Sequence, residues 1–344
     1  MDTRRRPPLE LPPSDDRRLW DVWLSYYHLP TLTAADELGL FALLEKAPLT
    51  ADQLARELKL SARAAEALVG IVAALGFLVQ HGGRFHLTQT ARHFLLPSSP
   101  TYWGGMLRQA RAIPVSHEAI LSALRKDRPR GGTMEEMWDE HEMEPEKARA
   151  FTAAMHSRSF HLGVAAARRV PAFASVRRLL DVAGGSGCFS IALAQEHPQI
   201  HCTVLELKQV AELARGYIAE HGVQDRVDTL AAHMFRDPWP GGYDAAFLSN
   251  IYHDWDRPEC LHLTRRAFEA LPQGGWIFIH ELLLADTKDA PLAGITDSMV
   301  MMFFTEGKQR TLGEFESILT EGGFRDVSVI PTYGYYSVVQ ARRP

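Results

Sequence analysis

At 344 residues the chain is long enough for about two domains, and 46% hydrophobic with 23% charged residues describes an ordinary globular composition. The formal net charge of -5 lacks the basic excess that nucleic-acid binding requires, so nucleic acid is not an expected partner. Three cysteines, Cys188, Cys202 and Cys260, are too few to staple a secreted fold and lack the short paired spacings that hold zinc, so no metal site is expected and a reducing cytoplasm fits best.

The first sixteen residues hold four prolines and several charges, and 1–16 reads as a disordered arm. No apolar segment follows its arginines, and no run of about 18 apolar residues occurs in the chain, so neither a secretory signal nor a membrane span is expected. The run RRLWDVWLSYYHLPTLTAADELGLFALLEK, 17–46, has helical apolar spacing on both sides of Pro30 and predicts two consecutive helices. Trp20, Trp23, Leu24 and Tyr27 would share one apolar face. TADQLARELKL and the Ser61-capped SARAAEALVGIVAALG predict two more helices, and FLVQHGGRFHLT predicts a hairpin turning at Gly82-Gly83. Helices followed by a hairpin give a winged-helix-like domain over 17–100. Its would-be recognition helix has Arg63 as its one basic residue between Ser61 and Leu75, which points to packing or dimerisation rather than DNA.

Residues 101–170 contain the helical segments WGGMLRQARAIPVSHEAILSAL and EPEKARAFTAAMHSRSFHLG around KDRPRGG, and read as a connector. Over 171–344 the strands RRLLDVAG, HCTVLEL, VDTLAAHM, DAAFLSNI and WIFIHELLL alternate with helices, and VSVIPTYGYYSVVQARR adds two closing antiparallel strands. The fold class is therefore α/β: a Rossmann-like, mainly parallel seven-stranded sheet with helices on both faces.

The first of these strands ends at Val182 and runs into Ala183-Gly184-Gly185-Ser186-Gly187, at the carboxyl end where open α/β sheets bind ligands. Glu206 ends the next strand, 19 residues after Gly187, where a carboxylate accepts hydrogen bonds from ribose hydroxyls. The pair indicates an adenosine-type cofactor, although a glycine run alone is also compatible with a tight structural turn. A dinucleotide would want glycine where Ser190 stands, and Asp181 places a carboxylate near a site that would have to accept pyrophosphate. That carboxylate suits a cofactor carrying an ammonium and a sulfonium. Asp181, Gly185, Gly187 and Glu206 are the candidate donor residues.

Three further strings, SNIYHDW at 249–255, EALPQGG at 269–275 and GKQRT at 307–311, make the chain resemble the small-molecule O-methyltransferase family that includes caffeic acid and acetylserotonin methyltransferases. The resemblance spans nearly the whole chain. It implies S-adenosyl-L-methionine as donor with S-adenosyl-L-homocysteine as product. It also implies a homodimer through the N-terminal domain and a small-molecule acceptor, aromatic or polyketide-like, methylated on a hydroxyl. The general base would be His253, oriented by Glu281 after the apolar strand residues Trp276 to Ile279. Histidine titrates in the range needed to take a proton from a phenol. Asp254 is expected to face away and support the turn.

The same resemblance assigns Leu207, Met234 and Phe235 to the cofactor site and marks three departures. Gln309 stands where many members have a second carboxylate beside the base. His233 replaces an acidic residue near the adenine, and Ser249 replaces a lysine. For the acceptor pocket it nominates Met299, Met302 and Phe303 on ITDSMVMMFF, Met155, His156, Ser159 and Phe160 in the connector, and Trp103 and Asn250. None of these is a charge awaiting a carboxylate or phosphate, so a mostly apolar acceptor is expected. C- or N-methylation on the same scaffold, and a relative that binds the donor without transferring methyl, remain alternatives; a winged-helix regulator is disfavoured.

Overall fold

A computed structural model describes residues 11–113, 115–129 and 144–344. Residues 1–10 of the expected arm and 130–132 of KDRPRGG lie outside these. The chain divides into two compact units, one up to Tyr102 and one from Trp103 to Pro344. The sequence 101–170 expected as a connector thus falls almost entirely in the same unit as the sheet.

In the first unit, α1 (Arg17–Ser25), α2 (His28–Glu37) and α3 (Leu40–Lys46) replace the two helices expected around Pro30. Pro30 lies in the first turn of α2, where a missing N–H breaks no intrahelical bond, and the second break comes instead at Gly39, left-handed at φ 76°. Helices α4 (Ala51–Glu57) and α5 (Ala62–Ala74) begin at the predicted caps: Thr50 forms a capping box with Gln53, and Ser61 accepts the N–H of Ala64. Strands β1 (Leu78–His81) and β2 (Arg84–Leu87) pair through Gly82 and Gly83, both at positive φ, before α6 (Gln89–Phe94). One face of α5 is buried, through Ala65, Leu68, Val69 and Val72, and the opposite face is exposed.

The second unit opens with α7 (Gly104–Ala112), α8 (His117–Lys126) and the long α9 (Pro145–Arg169). Its sheet is built from β3 (Arg178–Val182), β4 (His201–Glu206), β5 (Val227–Ala231), β6 (Ala245–Ser249), β7 (Trp276–Leu284), β8 (Arg310–Thr311), β9 (Arg325–Tyr333) and β10 (Tyr336–Arg342). The intervening helices are α10 (Cys188–Glu196), α11 (Lys208–Glu220), α12 (Arg257–Ala270), α13 (Leu292–Phe304) and α14 (Leu312–Glu321). Strand order is β5-β4-β3-β6-β7-β10-β9, with β10 antiparallel to both neighbours. Two-residue β8 adds an eighth strand to the seven expected, running parallel along the end of β7.

The pleat sends successive residues to opposite faces, which explains the continuous apolar runs of strands covered on both sides. Leu179, Phe247 and Phe278 join one core with Leu162, Phe173 and Ile191. Their neighbours Leu180, Leu248 and Ile279 join the other with Tyr252, Leu263 and Phe315. Among the described residues no helix is long and apolar enough to cross a membrane.

Candidate active site

The strand order reverses between β3 and β6, which pair directly although two strands separate them in sequence, and a crevice at their carboxyl ends follows from that topology. The glycine turn leaves β3 on one side of this switch point, and the 249–255 segment leaves β6 on the other.

On the glycine side the chain turns through Ala183, Gly185 and Gly187, all at positive φ. A side chain at Gly184 would meet the carboxyl carbon of Asp181 at 2.6 Å, so glycine is required for the turn to lie on that carboxylate. Asp181 is 1% exposed and accepts the Ser190 hydroxyl at 2.7 Å. Burial raises its pKa to about 6, against the pull of Ser190. Ser190, the position where a dinucleotide fold would want glycine, is thus half of a buried polar pair beneath the turn.

Glu206, at the end of β4, is held to the turn: Oε1 accepts the N–H of Gly185 at 3.1 Å and Oε2 accepts that of Leu207 at 2.7 Å. Burial raises its pKa to about 7, opposed by those two bonds. Among the described residues no side chain donates to this carboxylate, which leaves acceptor capacity for a pair of hydroxyls. His156 of α9 bonds through Nδ1 to Ser186 Oγ at 2.8 Å and stacks on Tyr217 at 4.2 Å. Burial, with His221 beside it, lowers its pKa to about 4. Of the residues nominated for the acceptor, His156 thus meets the glycine turn, Phe160 stacks on His156, and buried Ser159 shares their helix. After β5, His233 accepts the Phe235 N–H on Nδ1, Met234 accepts the Trp239 indole, and Phe235 meets Trp255 edge-on at 4.7 Å.

Across the switch point, Ser249 lies 3.0 Å from His280 Nδ1 and accepts from Asn250, whose backbone is left-handed and whose Oδ1 is buried without a partner. His253 sits in a short helical turn, Tyr252–Asp254, and is 5% exposed. Its Nδ1 lies 3.0 Å from Glu281 Oε2, while Glu281 Oε1 accepts the backbone N–H groups of Ile251 and His253. Glu281 is fully buried within β7, which covers the whole of the WIFIHELLL strand read from the sequence, rather than standing in solvent after its apolar residues Trp276 to Ile279. Asp254 does not face away as expected: its Oδ1 lies 3.6 Å from His253 Nε2. Burial opposes charge on the His253 ring, but Glu281 and Asp254 outweigh it and raise the pKa to about 9. Burial raises Asp254 to about 6, with His253 pulling it down.

Gln309 also reaches this ring. Its Nε2 lies 2.9 Å from His253 Nδ1 and donates to Asp297 Oδ2 of α13 at 2.6 Å. The GKQRT string supports the arrangement physically: Arg310, 2% exposed, donates to the carbonyls of Tyr252 and Trp255. Gly307 lies so close to the 253–255 backbone that a Cβ would fall 2.2 Å from the His253 carbonyl oxygen. Of the other nominated positions, Met155, Met299, Met302 and Trp103 are half-buried and Phe303 is in the core.

Two side chains at this end escaped the sequence reading. Asp297 is the single charge in ITDSMVMMFF, a signal that was available, whereas Arg158 lies unmarked in FTAAMHSRSF. Burial disfavours the Arg158 charge, yet Tyr336, Asp297, Asp254 and Glu281 more than compensate and hold the guanidinium protonated.

A carboxylate at the end of β4 on one side of the switch point and a buried imidazole on the other flank the crevice. Comparison with known proteins gives the family. The O-methyltransferase domain matches residues 124–325, and the O-methyltransferase dimerisation domain matches 20–97. A 3-hydroxy-5-methyl-1-naphthoate 3-O-methyltransferase of Streptomyces sahachiroi is 35% identical, over 91% of this chain and 90% of its own. An L-tyrosine C(3)-methyltransferase of Streptomyces lavendulae is 30% identical over 85% and 82%. Human N-acetylserotonin methyltransferase in complex with S-adenosylmethionine superposes with a TM-score of 0.80 at 26% identity, covering 97% and 99%. The chain belongs to the O-methyltransferase family and is an S-adenosylmethionine-dependent methyltransferase of small molecules.

Proposed function

We propose that this protein methylates a hydroxyl of an aromatic or polyketide-like small molecule, with His253 as general base and Glu281 as the group that orients it. The observation that carries this reading is the buried His253–Glu281 contact of 3.0 Å at the end of β6. A phenol with pKa near 10 is mostly protonated at neutral pH and is a poor nucleophile until that proton is removed. In the neutral ring a proton on Nδ1, facing Glu281 with the Gln309 amide nitrogen turned off that atom, leaves the Nε2 lone pair to take the phenol's proton, and the buried carboxylate stabilises the imidazolium that results. When bound, the cofactor supplies the electrophilic sulfonium methyl. The similarity to a naphthoate 3-O-methyltransferase supports a hydroxylated ring system as acceptor.

The residues fit the donor. Gly185 and Gly187 open the turn, Glu206 has lone pairs left for the ribose hydroxyls, and Leu207, His233, Met234 and Phe235 flank the adenine side. Asp181 acts through the turn, which rests on it, and Ser249 through His280. Trp103, Met155, Asn250, Met299 and Met302 border the acceptor, and Phe303 is buried on the same helix as the last two. The dimerisation match, together with the exposed apolar face of α1, supports a homodimer through the N-terminal unit.

The similarity to a C-methyltransferase keeps a second reading in play, transfer to carbon or nitrogen on the same scaffold. The deciding experiment measures transfer from labelled donor to a panel of phenols, together with donor-product binding by calorimetry, for His253→Ala and Glu281→Ala. Retained binding with transfer to oxygen reduced roughly 10²- to 10⁴-fold is expected. Undiminished transfer in both variants would remove the base from the mechanism.

A further inference from the structure

Arg158 is the one cation placed among the acceptor-side groups that no hydrogen bond or ion pair engages among the described residues. Its Nε is fully enclosed and has no partner. None of the carboxylates whose field it feels bonds to it. Glu281 accepts two backbone N–H groups on Oε1 and sets Oε2 3.0 Å from His253 Nδ1, Asp297 takes the Gln309 amide, and Asp254 lies 3.6 Å from the outer nitrogen of His253. Arg158 as a whole is half-buried, so its guanidinium combines an enclosed, unpartnered Nε with terminal nitrogens still open to an acceptor from the crevice.

We propose that Arg158 is the anchor for an anionic group on the acceptor, specifically a carboxylate attached to the ring that carries the methylated hydroxyl. The inference rests on the reading of this crevice as the acceptor site. Arginine presents a planar fork that meets both oxygens of a carboxylate, which a lysine or an amide does not. The donor's own carboxylate is the wrong ligand on positional grounds. His156 and Phe160 turn toward Ser186 and Tyr217 beside the glycine turn. Two residues further along a helix from His156 is 200° around the axis at about 100° per residue, so Arg158 points away from that side. The groups that act on it, Tyr336, Asp297, Asp254 and Glu281, all belong to the base side, and neither Asp181 nor Glu206 is among them. On this proposal the acceptor site carries a charged anchor, where the sequence positions alone point to a mostly apolar one.

The test uses the full-length protein with S-adenosylhomocysteine bound. Calorimetry compares hydroxybenzoic and hydroxynaphthoic acids with their methyl esters, on wild type, Arg158→Lys and Arg158→Gln, and transfer from labelled donor is followed in parallel. Wild type is expected to bind acids roughly 30-fold or more tightly than esters. Arg158→Gln should erase that ratio, and Arg158→Lys should keep part of it. Affinity for S-adenosylhomocysteine should be the same in all three, which also verifies folding. Esters binding as well as acids to wild type, or a preference for acids that survives Arg158→Gln, would overturn the proposal. So would a loss confined to S-adenosylhomocysteine affinity, which would give Arg158 to the donor. Acid-selective binding without transfer to oxygen would sustain the anchor and count against O-methylation instead.

Discussion

Glu281 holds His253 twice over: Oε2 lies 3.0 Å from the ring Nδ1, and Oε1 accepts the backbone N–H of the same residue at 3.3 Å. One carboxylate thereby fixes both the turn that carries the imidazole and the rotation of the ring. Truncating it removes a charge, an orienting contact and the acceptor of two backbone N–H groups together. Glu281→Gln keeps the shape, so it should lose far less thermal stability than Glu281→Ala, while both lose transfer. Melting temperature set against kcat separates the two contributions.

The pH dependence follows from the same pair. In the proposed mechanism the base is the neutral ring, and Glu281 and Asp254 raise His253 to about 9. Activity measured as kcat/KM should therefore climb with pH on a limb near 9 in the free enzyme. Glu281→Gln removes a raising cause, so its limb should move down while its plateau falls. The folded pKa stands above the ordinary 6.5, so the pair's stabilisation is complete below about 6.5 and fades as pH rises through about 9. Wild type should lose more melting temperature between those values than His253→Ala does. A limb that stays in place in Glu281→Gln would show that this carboxylate does not control the base.

Gln309 is bonded to a carboxylate that the sequence strings did not reveal. Its Nε2 lies between Asp297 Oδ2 at 2.6 Å and His253 Nδ1 at 2.9 Å. Gln309→Glu restores a carboxylate beside the base but sets it directly against Asp297, and two carboxylates that close cannot both ionise. The single variant should therefore melt lower and transfer more slowly, and adding Asp297→Asn should rescue both. A double-mutant cycle in melting and kcat/KM should give a coupling of about 1 kcal/mol or more. Strict additivity would mean the two side chains do not meet.

Much of this site was legible because its strings mark where strands end. The glycine turn, Glu206 and His253 each follow a strand whose apolar run can be read directly. The partners were less legible, since a contact across the sheet depends on register and strand length. Glu281 falls inside the WIFIHELLL strand as read, but its complete burial beside His253 depends on packing that no string displays. Asp254 was expected to turn away, but the short helical turn at Tyr252–Asp254 keeps its carboxylate beside the ring. Arg158 gave no signal, because an arginine in a long helix is most often solvated and nothing local says otherwise.

The N-terminal helix makes a prediction about assembly. No residue of α1 is buried, and Trp20, Trp23, Leu24 and Tyr27 are 49%, 61%, 43% and 55% exposed. Aromatic residues clustered at that exposure are the kind that dominate interfaces, each costing upwards of about 2 kcal/mol when truncated at a hot spot. Trp20→Ala with Trp23→Glu should shift the protein from dimer to monomer in sedimentation equilibrium without unfolding either unit. A dimer of unchanged affinity would place the interface elsewhere.

Gly307 tests whether the GKQRT segment acts as a brace for the base. A Cβ there would fall 2.2 Å from the His253 carbonyl oxygen and 2.5 Å from the Trp255 backbone nitrogen. Backbone cannot yield as a flexible side chain can, so Gly307→Ala must separate the segment from the turn. Overpacking of this kind costs about 1–3 kcal/mol. Separation also strains the Arg310 bonds to Tyr252 and Trp255 and draws Gln309 away from the ring. The glycine turn and Glu206 lie across the switch point on other strands, so donor affinity should change little. Gly307→Ala should therefore bind S-adenosylhomocysteine nearly as wild type does, melt several degrees lower and lose most of its kcat. Full activity in this variant would mean that the turn carrying His253 does not depend on the contact.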